Sequence, residues 1–156
     1  MKTSVLIAAL CIAAPFLYLF FKASVGKSAY KAKNLLTDNE LEFFWRLTRA
    51  LPDLFIFPQV AMSALIDPTA TPGTKAFMSS FGRISQKRVD YALYDTGLRL
   101  LCIVELDDKT HQVSKDEARD RLLKSVGIRT IRWNSKNKPS ASEIQNQVFQ
   151  PSHSAE

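Results

Sequence analysis

Residues 88–111, RVDYALYDTGLRLLCIVELDDKTH, decide the fold. Two apolar runs, 89–93 and 100–104, flank Asp95-Thr96-Gly97. That turn reads as a hairpin loop in which the glycine supplies the positive φ. Each run carries acids where a buried strand should have none. Asp90 interrupts the first, and Glu105 and Asp107 end the second. Side chains alternate along a strand, so Ile103, Glu105 and Asp107 share one face. With the loop symmetric about Thr96 and Gly97, Asp90 lies across from Ile103, and Glu105 is its diagonal neighbour, roughly 7–8 Å away. Burying these carboxylates is costly unless they are paired or bind a metal. A hard divalent cation is the natural partner of such an all-oxygen cluster.

Before the hairpin, Thr37-Asp38-Asn39-Glu40 is a capping box, with Thr37 at the N-cap and Glu40 at N3. The helix it opens runs to about Ala50, with Leu41, Phe44, Trp45 and Leu47 or Thr48 on its apolar face, and Pro52 ends it. Residues 55–61, FIFPQVA, read as a strand, and Pro58 suggests a sheet edge. Residues 67–82 are rich in turn formers and read as a loop. After the hairpin, residues 115–126 form a helix with Ala118, Leu122, Leu123 and Val126 on one side, stopped by Gly127. Residues 128–133, IRTIRW, are a strand, 134–140 a basic turn, and 141–149 a final helix with Ile144 and Val148 inward. Strand–helix–strand order implies a right-handed crossover. A disordered tail is expected over 151–156.

The N-terminal stretch 4–21, SVLIAALCIAAPFLYLFF, holds no charge and is long enough to cross a bilayer. Lys22, Lys27, Lys31 and Lys33 follow it, against Lys2 before it. By the positive-inside rule the remainder of the chain lies in the cytoplasm. The expected organisation is a transmembrane helix over 1–22, a basic juxtamembrane linker over 23–36, and one domain over 37–150. The net charge of +6 falls to +4 without Lys2 and Lys22, a mild bias toward polyanions. Cys11 and Cys102 form no disulfide framework or zinc spacing, which suits a reducing compartment. Gly26-Lys27-Ser28 is no phosphate loop, since Phe21 stands where its first glycine would be.

The order helix, strand, hairpin, helix, strand, helix, with acids on the hairpin, resembles the restriction-endonuclease-like core of the PD-(D/E)xK nucleases. More local motifs are Thr37-Asp38-Asn39-Glu40 with Trp45 and Leu47, Gln59-Val60, Val89-Asp90-Tyr91, residues 103–108 with His111, Arg119-Asp120, and Gly127 through Arg132-Trp133. Together they look like a bacterial family of uncharacterised domains similar to the very-short-patch-repair endonucleases, over roughly residues 30–135. The resemblance implies an α/β fold, a central mixed sheet flanked by helices, behind the transmembrane helix. It also implies a magnesium-dependent (or manganese-dependent) endonuclease. Asp90 and Glu105 would ligate the metal, with Asp107 as a possible further ligand. The superfamily usually places Lys two residues after its second acid; here that position is Asp107. His111 matches the histidine used instead in the patch-repair-like branch, and Glu40 could orient its ring. Lys109, Arg119 and Arg132 are the candidate nucleic-acid contacts. For the two arginines, pairing with Asp116 or Asp120 is the structural alternative. Glu40 has its own plain explanation in the capping box.

Three functions are therefore in view. The first is a nuclease in the inner (cytoplasmic) membrane that faces the cytoplasm and acts on nucleic acid, DNA before RNA. The second is a catalytically inactive nucleic-acid-binding module. The third is a membrane-anchored interaction protein on the same scaffold.

Overall fold

In the computed structural model, which describes residues 13–19, 22, 29–107 and 113–150, the decisive stretch forms the expected hairpin. Its strands are β2 (Arg88–Tyr94) and β3 (Leu100–Asp107). They lie in a four-stranded sheet of order β1-β2-β3-β4, where β1 is Phe55–Ala61 and β4 is Thr130–Asn134. β1–β2 and β2–β3 are antiparallel, and β3–β4 is parallel. The helices are α1 (Asp38–Ala50), α2 (Lys75–Gly82), α3 (Val113–Ser125) and α4 (Ala141–Phe149), with a 3-10 turn at Met62–Ala64. The fold class is thus mixed α/β with helices flanking the sheet.

The sheet is covered on both faces, which is why β2 and β3 read as nearly continuous apolar runs. One cluster joins Phe43, Leu47, Ala50 and Leu51 of the α1 region to Tyr91, Leu93, Cys102, Val104 and Trp133, with Ile144 and Val148 of α4. Phe43 meets Tyr91 and Trp133 edge-on, ring centroids 5.8 and 5.6 Å apart. A second cluster, Met62, Ile84, Val89, Ala92, Ile103 and Leu123, lies under α3 and the 62–84 connection. Free Cys102 is buried in the first cluster, and burial pushes its thiol pKa up.

Several expectations need correction. The buried side of α1 is Phe43-Leu47-Ala50, while Leu41 and Trp45 are exposed. One stripe fits helical spacing as well as the other, and packing against Tyr91 and Trp133 selects between them. The 67–82 stretch is not all loop: Thr74 caps α2 by accepting from the Phe77 N–H at 3.2 Å. The hairpin's left-handed residue is Leu98 (φ 57°), and Gly97 is not in that region. Asp95 explains this, because its Oδ1 accepts from the N–H groups of Gly97 and Arg99, both at 2.9 Å. A bulge between Leu93 and Tyr94 then shifts the register, so that Ala92, not Asp90, lies across from Ile103.

Other expectations hold. Thr37 and Glu40 form the capping box of α1, and Gly127 takes φ 76° after α3. A second capping box, Ser140 with Glu143, opens α4. Arg129 donates to the carbonyls of Gln147, Val148 and Gln150, tying β4 to the C-terminus of α4.

The chain divides into two units, Met1–Lys33 and Asn34–Glu156. In the first, residues 13–19 are helical, and Phe16, Leu17, Tyr18 and Leu19 are exposed. Among the described residues, no helix is long and apolar enough to cross a membrane. Residues 4–12, 20 and 21 of the expected span lie outside them, as do Cys11, part of the linker and the 151–156 tail.

Candidate functional site

The shifted register builds the site. The pairing of β2 with β3 ends at Tyr91 and Val104, and one step further the same register puts Asp90 level with Glu105 rather than on its diagonal. Glu105 is 3% exposed. Its Oε2 lies 3.1 Å from Nη2 of Arg119 on α3. Its Oε1 is buried and has no hydrogen-bond partner among the described residues. Burial, and after it the charge of Asp90, outweigh the pull of Arg119 and push the Glu105 carboxyl up to about 8. Asp90 is also raised, by burial first, although its Oδ2 accepts the Leu106 N–H at 2.9 Å. The charges of Glu40 and Asp107 push it the same way. The Asp90 charge thus adds to burial at Glu105, and two neighbouring carboxyls pushed up in this way mark a candidate functional site.

Asp107, at the end of β3, is taken up elsewhere. Arg132 on β4 donates through Nη1 to both Asp107 oxygens, at 2.7 and 2.8 Å. The same guanidinium donates to Asp120 of α3 through Nε (2.9 Å) and Nη2 (2.7 Å). Arg132 thus fastens β3, β4 and α3 together, and its own pKa is raised by these acids. The pairing weighed for Arg132 is realised with Asp120, whereas Arg119 goes to Glu105.

Glu40 caps and reaches further. Its Oε2 accepts from the N–H and hydroxyl of Thr37, both at 2.7 Å. Its Oε1 accepts from Nε2 of Gln59 on β1 at 3.3 Å. Its backbone carbonyl accepts from the Tyr91 hydroxyl at 2.7 Å. That phenol is buried, which raises its pKa. Gln59 was not among the expected site residues. The one signal was a polar residue between Pro58 and Val60 in an apolar strand; its backbone conformation leaves no mark on composition.

Lys109 and His111 lie outside the described residues. Among those described, no group of three His, Cys, Asp or Glu side chains is placed to hold a metal ion. The expected triad of Asp90, Glu105 and Asp107 is therefore a pair plus an acid turned to Arg132. A pair still suits Mg²⁺, which keeps several waters and is commonly held by one or two carboxylates. The unpartnered Oε1 of Glu105 is the oxygen left over for such an ion.

No curated protein and no solved structure matches the chain significantly. Residues 32–151 match the family described as "Protein of unknown function (DUF2726)", and the match takes in α1 through α4 with the Asp90–Glu105 pair. The chain belongs to the DUF2726 family.

Proposed function

We propose that the chain is a metal-dependent nuclease that hydrolyses phosphodiester bonds of nucleic acid, DNA before RNA. The observation that carries this reading is the pairing of half-buried Asp90 with buried Glu105, one of whose oxygens has no partner among the described residues. The strand order, with a helix between the parallel strands β3 and β4, agrees with a restriction-endonuclease-like core. Asp90 and Glu105 would hold Mg²⁺ or Mn²⁺. Such an ion, when bound, polarises a phosphoryl oxygen and lowers the pKa of water. Arg119 offsets charge at Glu105, and Arg132 withdraws Asp107 from the site. His111 serves in this reading as the proton-transfer group in place of the absent lysine, and Lys109 as a phosphate contact. Residues 4–21 anchor the chain in the cytoplasmic membrane, with 37–150 in the cytoplasm.

The test uses the full chain in detergent with plasmid, single-stranded DNA and RNA, with Mg²⁺ or Mn²⁺ and with chelator. Cleavage should require the metal and vanish in Asp90→Ala and Glu105→Ala, both still folded by circular dichroism. His111→Ala should slow it by about 10²–10⁴-fold. Cleavage retained in both carboxylate variants would overturn the site.

One observation favours a second reading, a nucleic-acid-binding module without turnover. Where the superfamily pattern has a lysine, Asp107 is locked to Arg132. That reading expects binding that weakens steeply with salt and no cleavage of any substrate.

A further inference from the structure

Gln59 stands in the interior of β1 with φ 54°. A residue with a Cβ adopts this left-handed conformation only against steric cost. No turn requires it there. Pro58 pairs with Tyr91 and Val60 with Val89, so the register is the same on both sides and Gln59 is not an inserted residue. The strand pair nevertheless changes sides at this point. Tyr91 packs in the cluster under α1, but Val89 and Val60 pack in the other, although alternation would put Val89 with Tyr91. The same register puts Gln59 level with Asp90, and Asp90 level with Glu105. The Gln59 amide donates to the one Glu40 oxygen that Thr37 leaves open.

We propose that Gln59 is a positioning residue, its left-handed backbone aiming the amide at Glu40 and holding that carboxylate toward the Asp90–Glu105 pair. The inference rests on the nuclease reading and extends it to β1. Strain of this kind persists where the surroundings over-determine it, and it clusters at functional sites. Glu40 is then more than a cap: Thr37 fixes one oxygen from its own helix, and Gln59 fixes the other from the strand beside the acids.

The experiment compares the full chain with Gln59→Gly and Gln59→Ala. It measures the unfolding midpoint without metal, Mn²⁺ affinity by electron paramagnetic resonance, and the metal dependence of plasmid cleavage. Both variants remove the amide, but only glycine also relieves the backbone. Gln59→Gly should melt at or above wild type and about 3 °C or more above Gln59→Ala. Both should bind Mn²⁺ about tenfold or more weakly and cleave more slowly at limiting metal. If wild type melts well above both variants, Gln59 is a tether and the proposal falls. It falls equally if Mn²⁺ affinity is unchanged in both. A wild-type chain that neither binds Mn²⁺ nor cleaves overturns the nuclease reading, and this inference with it. A competent wild type with unaffected variants overturns the inference alone.

Discussion

Glu105 holds its proton to about pH 8 in the folded chain, whereas an unfolded glutamate releases it near 4.3. Between those values the folded state binds a proton that the unfolded state has lost. The stability linked to Glu105 is therefore complete below the lower value and disappears as pH rises through about 8. Asp90 shifts in the same direction and adds to the trend. The unfolding midpoint in chelator should fall between about pH 5 and about pH 9, and Glu105→Gln should flatten the slope. Thermal melts across that range check this; a midpoint that rises with pH would contradict it. The two acids were legible because carboxylates inside apolar runs are conspicuous. Their direct opposition was not, since one bulged residue moves every partner along the ladder. The pairing of Arg132 with Asp120 was among the alternatives the sequence offered, but its second link, to Asp107 on the neighbouring strand, was not, since no spacing rule reaches that far.

The hairpin shows how an element can be right and its chemistry misread. Both strands and the turn between them follow from the apolar runs and the Asp95-Thr96-Gly97 signal. The conformational demand falls one residue later, on Leu98, because the Asp95 carboxylate gathers the Gly97 and Arg99 amides around itself. Leu98 is 61% exposed, so its side chain contributes little packing to offset the left-handed backbone. Leu98→Gly should therefore stabilise the domain by about 1 kcal/mol, read as a rise in the urea midpoint at unchanged slope. A lowered midpoint would mean that the Leu98 side chain contributes more than its backbone costs. The capping boxes show the opposite case. Thr37 with Glu40 is fully local, so its sequence spacing was enough to place the start of α1.

Across the whole molecule, the order of the four strands with α1, α3 and α4 was readable from periodicity and punctuation, and the helix between two parallel strands came with it, whereas α2 lay hidden in a stretch of turn formers. The face that α1 buries was not, because amphipathic spacing permits two neighbouring stripes. The proposed anchor makes a prediction for the intact chain. It should stay in the membrane pellet after a carbonate wash, and removal of residues 1–22 should release it; recovery of the intact chain in the supernatant would contradict the anchor. One feature of β1 also bears on how copies of the protein meet. β1 is an edge strand, and an edge strand's unpaired amides and carbonyls invite another chain to add on. Pro58 has no N–H to offer, and Gln59 turns the backbone out of the extended conformation. Before that break, only Phe55, Ile56 and Phe57 present an unbroken extended edge. A strand arriving from a neighbouring molecule finds too short a template to grow on, so the edge beside the carboxylates is guarded against fibre-like self-pairing.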